Sequence, residues 1–327
     1  GIPRSMLEAA RWFRTAAEAG DPDAQFEFGK LCFEGRWVRF NPLEGTRWLR
    51  RAARSGHADA EAGLAYLYHV GVGVGRQNDE KAREWTERAA THGHVGSQST
   101  LGGLYAAGRD GTRDDERAVY WWRLAAEAGD PTAQANLGSM YALGRGLERD
   151  VSRALDWLRR AAAGDHADAQ FNLGLIYLSG EPLPRDLAAA LNFFLAAAHQ
   201  KHSGAENALG AMYAGGQGIP QDLKLAMSWF QRAASQGHSG AQMNIGTFYA
   251  NGLGEARDDA KAARWFRLAA EQGEAGAQAH LADMYAAGRG VERDELEAQR
   301  WRNKAREAGA SSGSGALIEV PASPDRD

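Results

Sequence analysis

A single cysteine, Cys32, among 327 residues excludes an internal disulfide framework, a cysteine-rich zinc site and a CxxC redox pair, and leaves the compartment open. Long apolar runs are missing too. The most apolar stretch, Leu187 to Ala198, is interrupted by Asn192 and falls short of the roughly 18 to 20 residues that a spanning helix needs. Nor is there an excess of positive charge: 38 Lys and Arg against 42 Asp and Glu give a net charge of −4, which argues against nucleic acid as the main partner. The sequence opens on Gly1 rather than Met, so a targeting segment is visible neither way. What is present is an ordinary globular balance, 44% hydrophobic and 24% charged, with enough apolar surface for a sizeable core and a length that alone suggests about two domains.

The ten tryptophans reveal more by position than by number. Trp12, Trp48, Trp85, Trp121, Trp157, Phe193, Trp229, Trp265 and Trp301 stand 36 residues apart, with one step of 37. This is an array of repeats. An Ala pair follows four and five residues after each aromatic, from Ala16-Ala17 to Ala269-Ala270, and only the last unit breaks it with Ala305-Arg306. Aromatic and small residues at that spacing share one helix face.

A second string runs in step. Leu137-Gly138, Leu173-Gly174, Leu209-Gly210 and Ile245-Gly246 are each followed by a Tyr, at 141, 177, 213 and 249, and three residues later by Gly144, Gly180, Gly216 and Gly252. A Gly closing an apolar pattern of helical period predicts a left-handed C-cap. Asn41, Asn78, Asp114, Asp150, Asp186, Asp222, Asp258 and Asp294 then stand seven residues before the aromatic, where they predict N-caps for a second helix. Each unit therefore reads as helix, Gly-ended turn, capped helix. One such hairpin cannot cover its own apolar face, but stacked hairpins share a continuous core.

The fourth unit, Ala133-Gln134-Ala135-Asn136-Leu137-Gly138 with Tyr141, Gly144, Gly146, Asp150, Ala154, Trp157 and Ala161-Ala162, resembles the Sel-1-like repeat, a relative of the tetratricopeptide repeat. The resemblance covers about residues 5 to 309. It implies an all-α fold, a right-handed α-α superhelix or solenoid, used as a protein-interaction scaffold in signalling, quality control or the bacterial envelope, usually without catalysis. The expected organisation is a partial repeat with only a second helix over 5–20, eight repeats over 21–309 (21–56, 57–93, 94–129, 130–165, 166–201, 202–237, 238–273 and 274–309), and a flexible tail over 310–327. A bacterial protein is expected, with the periplasm or envelope favoured over the cytoplasm.

The ends differ. Arg302 and Arg306 replace the apolar residues found in other units, as a solvent-facing cap requires. Trp12 and Phe13 have the look of an interior unit whose first helix is missing, which predicts an array that continues upstream and a possible self-association through the N-terminal end. The Ser-Gly run from Ser311 to Gly315 reads as a linker, and Leu317 to Val320 as a frayed tail rather than a docking motif.

No catalytic residues, metal ligands or cofactors are expected. His57, His94, His166, His202 and His238 occupy one repeat position, three residues before the expected start of each first helix, in a row spaced too widely for chelation. His92 with His94, and His199 with His202, are closer but have no third ligand. Gly71-Val72-Gly73-Val74-Gly75 lacks the strand and the Lys of a phosphate loop and falls at an inter-helix turn. Cys32 stands at a Tyr position and reads as a small hydrophobe. The Arg and Lys residues near the ends of second helices, including Arg51, Arg88, Arg160, Arg232 and Lys304, are read as helix-dipole partners on a solvated face.

The candidate site is a stripe on the first helices that varies from unit to unit: Tyr66, then Asn136, Ser139 and Leu143, then Asn172 and Leu175, then Asn244 and Thr247. If first helices line the concave side, as the resemblance implies, Asn amides beside aliphatic side chains suit an extended peptide held by its backbone. A structural role for the Asn residues, bonding the neighbouring unit, is the competing reading. The function expected is a non-catalytic scaffold or adaptor that binds a protein or peptide partner in the groove. An envelope protein binding cell-wall glycan or peptide, and a non-catalytic part of a larger enzyme, are the alternatives.

Overall fold

The computed structural model describes residues 2–108 and 113–311, with side chains from 7 to 309. Leu317 to Val320 and the rest of the expected tail beyond 311 lie outside the described residues. Among these there are seventeen α-helices and no strand. They fall into two compact units, Gly1–Gly164 and Asp165–Asp327.

The first unit holds α1 (Ile2–Glu18), α2 (Pro22–Glu34), α3 (Pro42–Arg54), α4 (Ala58–Val70), α5 (Asp79–Thr91), α6 (Val95–Ala107), α7 (Asp115–Glu127), α8 (Pro131–Leu143) and α9 (Val151–Ala163). The second holds α10 (Ala167–Ser179), α11 (Leu187–His199), α12 (Ser203–Gly215), α13 (Leu223–Ser235), α14 (Ser239–Asn251), α15 (Asp259–Glu271), α16 (Ala275–Ala287) and α17 (Glu295–Ser311). In each unit, consecutive helices pack as hairpins, even-numbered helices forming the first arm of each repeat.

Caps set the helix limits. The side chains of Asn41, Asn78, Asp114, Asp150, Asp186, Asp222 and Asp258 each accept the backbone N–H three residues on, and Asp294 does the same for α17. Each such cap is worth roughly 1 kcal/mol. Every first helix ends on a Gly in the left-handed region, for example Gly144 at φ 64°, whose N–H returns to the Met140 carbonyl. The first helices start earlier than the sequence suggests. His57, His94, His166, His202 and His238 are themselves the N-caps, their Nδ1 atoms accepting a backbone N–H at 3.0–3.3 Å. An imidazole ring can do there what a carboxylate does at Asp21 and Asp130, because both offer an acceptor two bonds from Cβ.

The core repeats with the chain. Leu64, Leu101, Leu137, Leu173, Leu209, Ile245 and Leu281 are fully buried, and the Ala pairs let the helices approach beneath them. Cys32 is buried among Ala17, Ala24, Phe28 and Trp48, and burial pushes its thiol up to about 11, so it is held as the unreactive thiol. Gln25, Gln98, Gln134 and Gln278 are buried polar residues with a specific task. Each donates through Nε2 to the carbonyl of the Ala eight residues earlier, stitching a first helix to the end of the second helix before it.

Candidate interaction surface

Asn136, Ser139 and Leu143 share one face of α8; Leu143 is 63% exposed and the other two are half-buried. The Ser139 hydroxyl is spent on its own helix, donating to the Ala135 carbonyl at 3.1 Å. Thr247 does the same to Met243 on α14. Asn172 lies half-buried on α10, and Leu175 packs against the core formed around Ala190 and Phe194, so it belongs to the structural face more than to the groove. The Asn residues differ in their bonding. Asn244 donates through Nδ2 to Asn207 Oδ1 of the preceding repeat at 2.9 Å and joins the stacking. The side-chain amides of Asn136 and Asn172 make no hydrogen bond among the described residues, although each is half-buried.

Tyr66 stands apart. It is 65% exposed on α4 and borders an open groove of about 890 Å³ between α4, α5 and α6, which also takes in Arg83, Thr86, Thr100 and Leu104. Reading the stripe on first helices alone misses Arg83 and Thr86, because they sit on a second helix. Their signal was a departure from the repeat: Thr86 occupies the register of Leu49, Trp122, Leu158, Phe194, Phe230 and Phe266.

The remaining polar candidates are occupied by structure. His202 uses Nδ1 to cap α12, which places its proton on Nε2, and Nε2 meets Asp168 of the preceding first helix at 3.0 Å. His57 with Asp23 and His94 with Asp59 repeat this bridge at 3.2 and 3.6 Å. The neighbour of His94, His92, is bonded to Glu61 at 2.6 Å. No cluster of three or more potential ligands capable of holding a metal ion occurs among the described residues. The basic residues at second-helix ends have a more specific role than the helix dipole. Arg51, Arg88, Arg160, Arg232 and Lys304 lie over the rings of Trp48, Trp85, Trp157, Trp229 and Trp301, three residues earlier, at 4.3–4.6 Å. At the start of the chain Trp12 is 74% exposed, with Phe13 beside it. No helix among the described residues is long and apolar enough to cross a membrane.

The model of the Sel1 repeat matches nine segments of the chain: 1–21, 22–57, 58–94, 97–130, 131–166, 167–202, 203–238, 239–274 and 275–309. Two solved structures are similar along most of its length. One is c5321, a protective antigen present in uropathogenic Escherichia coli strains and displaying an SLR fold, with 33% identity, 92% of this chain and 64% of that chain covered, and a TM-score of 0.75. The other is a Sel1 repeat protein from Oxalobacter formigenes, with 33% identity, 95% and 91% covered, and a TM-score of 0.64. The chain thus spans less than two thirds of the length of the antigen. No curated protein matches it.

Proposed function

The chain belongs to the Sel1 repeat family, an α-solenoid fold whose members generally mediate protein–protein interaction and are typically non-catalytic, and from that premise we propose that it is a scaffold binding a peptide or protein partner along the stripe of its first helices. The observation that carries this reading is the amide of Asn136, half-buried on α8 beside the exposed Leu143 and without a hydrogen-bond partner among the described residues; within the second unit Asn172 offers the same group. Asn244, in the same register, is tied to Asn207, whereas the Asn136 and Asn172 amides have no such bond among the described residues and retain their donor and acceptor for a ligand. A peptide backbone presents N–H and C=O groups, and a side-chain amide can accept from the one and donate to the other. The repeats proposed as binding units are those over 21–309, and self-association through Trp12 and Phe13 is part of the same proposal.

Site-specific photo-crosslinking tests it. A photoreactive residue at Ser139 is expected to capture a partner protein, whereas one at Arg117, a second-helix position, is not. Capture from Arg117 alone would move the binding surface to the other side of the hairpins.

A further inference from the structure

The second repeat breaks a packing rule that its neighbours keep. In six repeats a Gly on the first helix faces a bulky side chain of the second: Gly29 with Leu49, Gly102 with Trp122, Gly138 with Leu158, Gly174 with Phe194, Gly210 with Phe230, and Gly246 with Phe266. A Cβ added at Gly102, Gly174, Gly210 or Gly246 would sit 2.5 to 2.7 Å from the aromatic ring, so the ring demands the glycine. Between α4 and α5 both members of the pair are changed, to Ala65 and Thr86. The same exchange at Ala282 and Arg302 leaves a long side chain on the second helix, whereas Thr86 is short. Arg83 also stands where other second helices carry Val119, Leu155, Leu191 or Met227.

The filler is therefore missing, and the space is open rather than collapsed. It is the groove of about 890 Å³ between α4, α5 and α6, floored by Ala65, Ala82, Thr86 and Leu104. The Thr86 hydroxyl donates to the Ala82 carbonyl at 2.8 Å, which leaves its methyl group as the unbonded end. Charge at the mouth is unbalanced. Arg83 is matched by Glu87 on its own helix at 3.1 Å, while Asp79 and Glu80 add two carboxylates, of which Asp79 meets His69 at 3.3 Å.

We infer that this groove seats one apolar side chain of Leu or Phe size from a partner peptide, in the open space over Ala65 and Thr86, with a basic residue beside it facing Asp79 and Glu80. The inference rests on the reading of the chain as a peptide binder and adds the site and the sequence preference. An apolar side chain from a separate peptide is not tethered to α5, so it can rest over Ala65, Ala82 and Leu104 without taking the ring position that the Ala65 Cβ blocks, and it gains dispersion contacts with them. The carboxylates supply the preference, because a screened pair at a surface discriminates modestly.

Two dipeptides probe this directly: N-acetyl-Phe-Arg-amide and N-acetyl-Phe-Glu-amide, titrated into the isotope-labelled full chain and followed by backbone amide shifts. The Arg peptide is expected to shift the amides around Thr86, Thr100 and Leu104 and to saturate in the millimolar range, with the Glu peptide weaker by about threefold. Thr86→Leu, which restores the filler, is expected to abolish both. Asp79→Asn with Glu80→Gln, a change to exposed groups that leaves packing alone, is expected to make the two peptides equal, and it serves as the readout should Thr86→Leu disturb the fold. Shifts scattered away from the groove, equal binding of the two peptides by the wild type, or undiminished binding by a folded Thr86→Leu overturns the inference. If those results coincide with partner binding that still depends on Asn136, only this site is lost. If Asn136 is also without effect, the peptide-binding reading falls with it.

Discussion

Arg88 of α5 reaches Glu61 of α4 with its Nη2 atom 3.0 Å from a carboxylate that has no exposed surface. The same guanidinium lies over the Trp85 ring and extends toward the Ala53 carbonyl at 3.4 Å, the atom that a Gln amide would take in other repeats. Arg232, Glu206, Trp229 and Ala198 form the same arrangement in the second unit. A Glu at this buried position removes the amide donor, and the Arg from the following second helix replaces it.

Removing Arg88 should therefore cost more than removing an ordinary surface charge. Arg88→Ala leaves Glu61 buried with only His92 beside it, a loss on the order of 3 kcal/mol, at the lower end for a broken buried pair because Arg88 is itself 43% exposed. Glu61→Gln should cost less than about 1 kcal/mol, since Gln98 shows how that side chain bonds the preceding Ala carbonyl. Adding Glu61→Gln to Arg88→Ala should recover most of the loss in urea unfolding. An Arg88→Ala midpoint equal to wild type would mean that Glu61 is hydrated.

The left-handed end of a first helix gives a second test. Gly144 sits at φ 64°, and a Cβ there would come within 3.1 Å of Arg149 Cβ. Gly144→Val should lower stability by at least about 1 kcal/mol, through the backbone conformation it forces on a β-branched residue. An unchanged melting temperature would show that the turn tolerates another conformation.

The repeat period and the caps were legible because each is a local rule stated eight times over. Gly144 and Asp150 say where one helix stops and the next begins without reference to anything distant. What the sequence concealed depends on pairs separated by a whole hairpin. That Arg88 answers Glu61, 27 residues away, is invisible until the two helices are packed. Asn244 and Asn172 look equivalent in register, yet Asn244 has Asn207 within reach, whereas the residue in the register of Asn207 one repeat before Asn172 is Ala135, which carries no amide, because that position also varies. The histidines misled for a chemical reason: an N-cap is expected to be Ser, Thr, Asp or Asn, and Nδ1 of His satisfies the same geometry.

That role makes stability depend on pH. His238 caps α14 by accepting the Ala241 N–H at Nδ1, which requires the neutral ring. Burial, the largest influence, holds its pKa below the ordinary value of 6.5, against the opposing pull of Glu274. A folded-state pKa below the unfolded one means that the contribution is complete above pH 6.5 and is lost as pH falls from there through the folded value. Melting temperature should drop between pH 7 and 5.5 in the wild type. His238→Asn, a cap that does not titrate, should drop less over that range; parallel curves would remove His238 as a source of the dependence.

The stripe is where function and packing can be separated, and the structure alters which substitutions do so. Leu175 packs against the core around Phe194, so replacing it would confuse lost binding with lost stability. Leu143 is exposed and Asn136 and Asn172 have no hydrogen-bond partner among the described residues, so none of the three is needed for folding. Asn136→Ala with Asn172→Ala and Leu143→Ser should leave the unfolding free energy within about 1 kcal/mol of wild type, as surface changes do. Affinity for the partner captured at Ser139 should fall tenfold or more, because amides lost from a peptide backbone contact are worth about 1 kcal/mol apiece. Asn244→Ala should behave in the opposite way, lowering stability through the lost bond to Asn207 while sparing affinity. If the triple variant binds normally and melts early instead, the amides of Asn136 and Asn172 serve the stacking, and the binding surface must lie elsewhere on the hairpins.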